Sequence, residues 1–366
     1  MVSFVSEWKE CQLGDLITFQ RGHDLPKTKM RSGEYPVVGS NGIIGYHNEY
    51  TTDAPSITIG RSGNVGKPFL YNGKSWSHNT TLYIKEYKNV EPIFIYYYLQ
   101  TLDLGNYAGG SAVPTLNRNH IHTLNVSVPV EIEEQRQIAS ILSSLDDKIK
   151  LNSTINENLE QQAQAIYTEM FIDNALEAWQ TGTLSDIAAI TMGQSPKGDT
   201  LNDTGKGDVF YQGRTDFGFR FPTRRLYTTE PKRIALYGDA LMSVRAPVGD
   251  LNVAYEECCI GRGLAAIHSR DNHQSFVLYT LFALKRHLDV FNGEGTVFGS
   301  INKDSLNSIG ITIPPIELVD KFESIVNPID RAILNNYEEI CRLQSIRDSL
   351  LPKLMNGEID VSQVKI

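Results

Sequence analysis

The chain has 366 residues, 41% hydrophobic and 21% charged, which is enough for two or more domains with cores of their own. It holds no apolar run of about eighteen residues, which excludes a membrane-spanning helix, and Met1–Glu7 lacks the basic and apolar stretches of a leader, so a cytoplasmic location is expected. The net charge of -9 excludes little, because it is uneven: residues 1–130 and 174–313 sum to +1 and -1, whereas 131–173 and 314–366 carry -6 and -3.

In chain order, the opening WKECQLGDLITFQRG, Trp8 to Gly22, returns as WQTGTLSDIAAITMG, Trp179 to Gly193, with Trp, Leu, Asp and the final Gly in register at an offset of 171. Later anchors keep the same order. Gly39 in VVGSNG aligns with Gly213 in YQGRTD, Arg61 in GRSGNVG with Arg245 in VRAPVG, and Asn117 in TLNRNHI with Asn302 in SINKDSL. The growing offset puts extra length in the second copy, mainly around Phe219 to Arg233. Short β-branched runs bounded by Gly, Asn or Pro predict strands at Ser56–Ile59, Leu82–Ile84, Ala240–Val244 and Ile309–Ile313. One helix per copy interrupts them, over Pro92–Thr101 and Ser275–Lys285. Each globular part is therefore expected to be mixed α+β.

Each copy ends in a heptad pattern. The first has Ile138, Leu145, Asn152, Leu159 and Ile166 in one row and Leu142, Ile149, Asn156, Ala163 and Met170 in the other. The second repeats it with Phe322, Ile329, Asn336, Leu343 and Leu350, and with Val326, Ile333, Ile340, Arg347 and Leu354. Four to five heptads predict a coiled-coil seam, in which Asn152 and Asn336 set register. Pro352 is expected to end or kink the second helix, and Gly357 suits a C-terminal cap. Helices of roughly 35 to 40 residues span about 50 to 60 Å. An antiparallel pair of that length predicts a spacer with the β-rich domains at opposite ends, related by an approximate two-fold axis.

Catalytic chemistry is not evident. Phe291-Asn292-Gly293-Glu294-Gly295 imitates a loop that holds S-adenosylmethionine, but it falls where the first copy has Asn106-Tyr107-Ala108-Gly109-Gly110 and so reads as repeated scaffold. Asn327-Pro328-Ile329-Asp330 imitates a methyltransferase motif, yet Ile329 is a heptad core position and the aromatic residue is missing. No phosphate loop is present, and the histidines, His78, His120 and His122 among them, lack ligands at metal spacing. Cys11, Cys258, Cys259 and Cys341 show no C-x-x-C spacing and read as reduced, mostly buried thiols.

What remains are polar loops beside glycine. Ser40 and Asn41 in the first copy, and Gln212, Arg214 and Thr215 in the second, offer side chains of the kind that pair with base edges. Arg61, Lys67, Lys74, Arg224, Arg225, Arg245 and Arg262 are candidates for phosphates or bases. The shared alignment of Arg61 and Arg245 favours a scaffold or phosphate role, whereas His78-Asn79 against Gly261-Arg262 favours distinct sequence preferences. Trp8 and Trp179 read as core anchors.

The duplicated openings, the segments VSVPVEIEEQRQIASILSSLDDKIKLN and ITIPPIELVDKFESIVNPIDRAILNN, and the ending SLLPKLMNGEI resemble the specificity (HsdS) subunits of type I restriction-modification enzymes over essentially the whole chain. The resemblance implies target-recognition domains at 1–130 and 174–313, a central spacer helix at 131–173 and a C-terminal one at 314–366. It implies a noncatalytic subunit that reads the two halves of an asymmetric site on double-stranded DNA. Its helices would dock two modification (methyltransferase) subunits, with restriction subunits as a further partner. S-adenosylmethionine, ATP and Mg2+ would then belong to the partners. The second copy has Glu317-Leu318-Val319-Asp320 where the first has its E-E-Q sequence, so the two docking faces differ. The alternatives are a self-sufficient methyltransferase or nuclease, which would bind S-adenosylmethionine alone, and a scaffold whose β-rich domains hold proteins or glycans.

Overall fold

The repeated opening is a folding unit in its own right. Leu13 and Leu184 are fully buried. Asp15 accepts the Gln12 N–H at 2.9 Å and Asp186 accepts the Thr183 N–H at 2.7 Å, each closing one helical turn behind a strand. Gly22 and Gly193 end the motif because a Cβ there would come within 2.1 Å of the carbonyl oxygen of His78 or Gly261. Trp8 and Trp179 are half-buried against the cores, as anchors should be. The computed structural model describes residues 7–110, 114–292 and 299–361, so Gly293–Gly295 of the loop-like segment lie outside the described residues.

The chain forms two compact units, Met1–Asn152 with Glu338–Ile366, and Ser153–Tyr337. Their sheets are copies. The first unit has a four-stranded antiparallel sheet in the order Ile17–Arg21, Thr81–Tyr87, Ser56–Gly60, Pro68–Tyr71; the second has Ala188–Met192, Leu264–Ser269, Ala240–Ser243, Leu251–Val253 in the same order. Each also pairs its opening strand with its last, Trp8–Gln12 with Asn125–Pro129 and Gln180–Thr183 with Gly310–Ile313. The predicted strands are all present, and the fold is α+β with pseudo-symmetric, β-rich units.

Four longer helices complete it: α1 (Pro92–Gln100), α2 (Ile132–Thr168), α3 (Gln274–Ala283) and α4 (Ile316–Met355). Glu133 and Glu134 in the first turn of α2, and Glu317 in that of α4, suit the positive end of the helix dipole. Part of α2 and part of α4 belong to each unit, and within each they run antiparallel. In the first unit Arg347 bonds Asp146 at 2.7 Å and Asn152 donates to Glu339 at 2.7 Å. In the second, Asn336 donates to Asn156 at 2.9 Å and Asn156 to the Ile333 carbonyl at 3.1 Å.

The seam is less apolar and less enclosed than its heptads predict. Leu142, Asn152, Asn156, Ala163 and Ile333 are buried, whereas Leu145, Ile149, Leu159, Ile329, Asn336, Ile340 and Leu343 are half-exposed. Asn152 and Asn336 each have a side-chain partner on the facing helix, Glu339 and Asn156. Pro352 does not end α4, which continues to Met355; Gly357 at φ +76° then terminates it, with the Glu358 N–H donating to the Lys353 carbonyl at 3.0 Å.

The short helix of each unit is tied to a long one by the same bond. Tyr97 of α1 donates to Asp146 at 2.7 Å, and Tyr279 of α3 donates to Asp330 at 2.8 Å. The balancing cation differs. In the first unit it is Arg347, from α4; in the second it is Arg220, 4% exposed, which reaches Asp330 at 2.5 Å, Glu160 at 3.1 Å and the Tyr279 hydroxyl at 3.2 Å. Arg220 lies in the extra length of the second copy. Val38 corresponds to Tyr211, since each accepts from the following loop (His78 N–H and Gly261 N–H), and Thr52 corresponds to Ala235 by their pairing with Ser75 and Cys258. The inserted residues thus fall between 212 and 234.

Truncating Arg220 would leave two half-buried carboxylates without their cation. Arg220→Met is expected to destabilise the second unit by about 3–5 kcal/mol, whereas removing Arg220, Glu160 and Asp330 together costs less. Hydrogen exchange reads this as lost protection in α3 with the sheet of the first unit unchanged. Equal protection in wild type and Arg220→Met would refute the assignment.

Candidate nucleic-acid interface

In the first unit several candidate residues meet at Thr80. Ser40, buried at the tip of the hairpin between Tyr35–Gly39 and Gly42–His47, donates its N–H to Thr80 Oγ1 at 3.3 Å, and the Arg61 N–H donates to the Thr80 carbonyl at 2.8 Å. The His78 ring lies 3.2 Å from the same hydroxyl. Asn41 is exposed beside Gly42, whose φ of +103° closes the turn. Asn79 donates to Asp24 at 2.6 Å, which holds its amide in place. Ser40, Asn41, Arg61, His78 and Asn79 therefore share one loop cluster. Lys67 lies elsewhere, over the Phe69 ring at 5.7 Å, and Lys74 donates to Tyr50 at 2.7 Å with Asp53 3.6 Å away.

In the second unit the candidate cations are largely paired. Arg214 and Lys285 share Asp250 at 2.8 and 2.7 Å; burial would raise the Asp250 pKa, and these two cations bring it below the ordinary value. Arg224 bonds Glu256 at 2.5 Å and packs 5.5 Å over the Tyr255 ring. Arg225 holds buried Asp216 and reaches Thr215 at 3.4 Å, while Asp216 also accepts the Gln212 N–H at 2.7 Å. These bonds fix the loop from Gln212 to Arg225 as one frame. Arg245 and Arg262 are exposed and have no carboxylate partner among the described residues.

The backbone corrects two of the alignments. The Arg61 N–H bonds Thr80 and its carbonyl accepts from Leu116; in the second copy the same two bonds are made by Val244, with Gly263 and Ile301. Arg61 thus corresponds to Val244, and Arg245 stands one position further on. By the same logic Gly39 corresponds to Gln212, not to Gly213. Matching letters had drawn these anchors one residue out of register.

A basic cleft went unnoticed in the sequence. Arg21 at the end of its strand, Arg61, and Arg118 and His120 of a short helix line a concavity of about 500 Å³, with no carboxylate among its described lining residues. Arg118 donates to the Phe19 carbonyl at 3.5 Å. Arg21 and Arg118 lie nearly a hundred residues apart, and the bonds from the short helix to the Phe19 backbone that bring them together leave no local signal. Among the described residues no three His, Cys, Asp or Glu side chains are grouped as a metal site, and no helix is long and apolar enough to cross a membrane.

With this geometry established, the chain is placed among known proteins by a duplicated match. The family model described as the type I restriction modification DNA specificity domain fits residues 5–161 and again 177–340, so the chain belongs to the specificity subunits of type I restriction-modification systems. A Methanocaldococcus jannaschii relative assigned as the MjaX specificity subunit of a type I restriction enzyme is 32% identical over 335 residues, covering 83% of this chain and 77% of the relative. The HindI specificity subunit of Haemophilus influenzae is 24% identical over 328 residues, covering 67% and 71%. The crystal structure of a type I S subunit from M. genitalium shares the fold, with a TM-score of 0.65 at 17% identity over 97% of this chain and 98% of that one.

His122 sits behind the basic cleft and must stay neutral. Its Nε2 accepts the Phe19 N–H at 2.9 Å, and burial, then Arg118 and Lys88, push its pKa below the ordinary value. A depressed folded pKa means that stabilisation is complete above about pH 6.5 and is lost as pH falls through the folded value. The melting temperature is expected to drop between pH 7.5 and 5.5 more steeply in wild type than in His122→Gln. Parallel pH profiles for the two proteins would contradict this.

Proposed function

We propose that this chain reads a two-part, asymmetric DNA site, one half with each unit, and positions two modification subunits on it. The observation that carries the reading is the contrast between frame and loops. The two units share sheet order, opening motif, helix caps at Asn117 and Asn302, and the tyrosine–aspartate bond. They differ where a groove would be met: Ser40, Asn41, His78 and Asn79 on one side, Gln212, Arg214, Thr215, Arg224, Arg225, Arg245 and Arg262 on the other. Equal frames with unequal loops suit two different half-sites. Asn and Gln pair with adenine and Arg with guanine in the major groove, so both sets hold direct readers. The acidity of α2 and α4 suits a docking surface for the modification subunits. S-adenosylmethionine, ATP and Mg2+ would be carried by the partner subunits.

Co-expression with the cognate modification subunit, followed by mapping of methylated adenines, tests this. The expected product is a two-part, non-palindromic motif with a gap of about 5 to 8 base pairs, as one-turn spacing of half-sites implies. Replacing Asn41 and Asn79 by Ala should change one half of the motif and leave the other intact. A continuous or palindromic motif, or no methylation, would sink the proposal.

A further inference from the structure

The cleft lined by Arg21, Arg61 and Arg118 gathers three arginines, two exposed and one half-buried, with no carboxylate among its described lining residues. By contrast Arg220 has Glu160 and Asp330, Arg214 has Asp250, Arg225 has Asp216, and Arg347 has Asp146. Here three arginines from three parts of the unit line one space, and no ion pair joins any of them to a carboxylate among the described residues. Burial, and then the charge of Arg21, push the Arg61 guanidinium below its ordinary pKa, so the arrangement carries a repulsion that an anion would relieve. It is also rigidly mounted: the Arg61 backbone is held from both sides, by Thr80 and Leu116 at 2.8 Å each.

The fold does not need these charges. Opening motif, backbone bonds and helix caps place Met192 opposite Arg21, Val244 opposite Arg61 and Lys303 opposite Arg118. Val244 is 2% exposed and lies in the core of its unit. The same scaffold thus closes with two apolar side chains where the first copy has arginine. A planar guanidinium fork matches phosphate oxygens in pairs, which a lone ammonium does not.

We propose that Arg21, Arg61 and Arg118 hold one backbone phosphate of bound duplex DNA, at a site the first unit has and the second lacks. The site rests on the DNA-reading function proposed above and adds a sequence-independent anchor beside the loop cluster at Thr80. Phosphate contacts fix register on the duplex, and base contacts then discriminate.

The test uses the full chain assembled with its modification subunits and two duplexes, one bearing the mapped motif and one with that motif scrambled. Arg21→Met with Arg61→Val installs the residues of the second copy, so the fold has a precedent, and thermal melting checks it. Arg61→Lys keeps the charge. The double variant is expected to bind about tenfold more weakly at low salt and to lower the slope of log K against log salt by about 1. The preference for motif over scrambled duplex should stay within about twofold of wild type. Arg61→Lys should keep most of the slope. An unchanged slope in the double variant overturns the site, and a lost preference turns it into base reading, which also overturns it. So does a melting temperature raised by inorganic phosphate in wild type alone with DNA binding unaltered, which would mark a free-anion site. Weakened assembly with the modification subunits at an unchanged slope would assign the cleft to protein docking instead. A wild-type complex that ignores both duplexes would fail the DNA-reading function itself, and is told apart by needing no variant.

Discussion

The bond from a tyrosine hydroxyl to a helix aspartate is the constraint on which each unit depends. Tyr97 to Asp146, and Tyr279 to Asp330, join a short helix packed on the sheet to a long helix. A carboxylate drawn partly out of water needs both a donor and a cation, or it would protonate or pull away. Burial raises the pKa of Tyr97 and of Tyr279, so both phenols stay protonated and can donate. The orientation of a recognition sheet on its helices is thereby set by a few charged groups in each unit, while the apolar cores make the sheets themselves.

The cation is where the two copies part. In the first unit Arg347 comes from α4, whose equivalent position on α2 is Ala163, a fully buried small residue. With alanine there, the second unit must obtain its cation from somewhere else. The inserted segment supplies Arg220, and beside it Phe221 packs 4.7 Å from Tyr337 and 5.9 Å from Tyr255. An insertion in a recognition domain would ordinarily read as a surface loop of little consequence for stability. This one ends in a buried guanidinium shared by Asp330, Glu160 and Tyr279.

Much of the fold was legible in the sequence because its signals are local. The openings carry their own cap, core leucine and glycine, and the long helices announce themselves by heptads. Gly357 was readable as a cap, since a positive φ calls for glycine. Pro352 did not end the helix, because a proline near a helix end removes one hydrogen bond without forcing the chain out, and the last turn continued to Met355. The seam was overestimated because spacing reports which residues share a face, not how closely a partner covers it. The site was less legible. In the first unit Ser40, Asn41, Arg61, His78 and Asn79 do cluster, around a Thr80 that no motif singled out, while Lys67 and Lys74 lie apart. In the second, Arg225 is held by Asp216 of the motif itself, and Arg214 and Arg224 by Asp250 and Glu256 from outside it. Arg61 and Arg245 looked equivalent because the letters matched, and only backbone bonds could show that Val244 takes the place of Arg61.

That displacement bears on how a duplicated protein can come to read two sequences. The bonds that define the frame run between backbone atoms, from Thr80 to Arg61 and from Gly263 to Val244, so they make no demand on the side chain that follows. A position so held carries arginine in one copy and valine in the other without altering the sheet order. Charge can then move between core-facing and cleft-facing roles while the strand order stays fixed. Near-neutral sums in both globular parts conceal the outcome. In the second unit the arginines between Gln212 and Arg225 are neutralised in place and stiffen that loop. In the first, the cleft at Arg21, Arg61 and Arg118 leaves its charge uncompensated among the described residues. A near-neutral sum can therefore accompany a rigid, paired loop in one unit and an open cationic cleft in the other, and the distribution of carboxylates decides which.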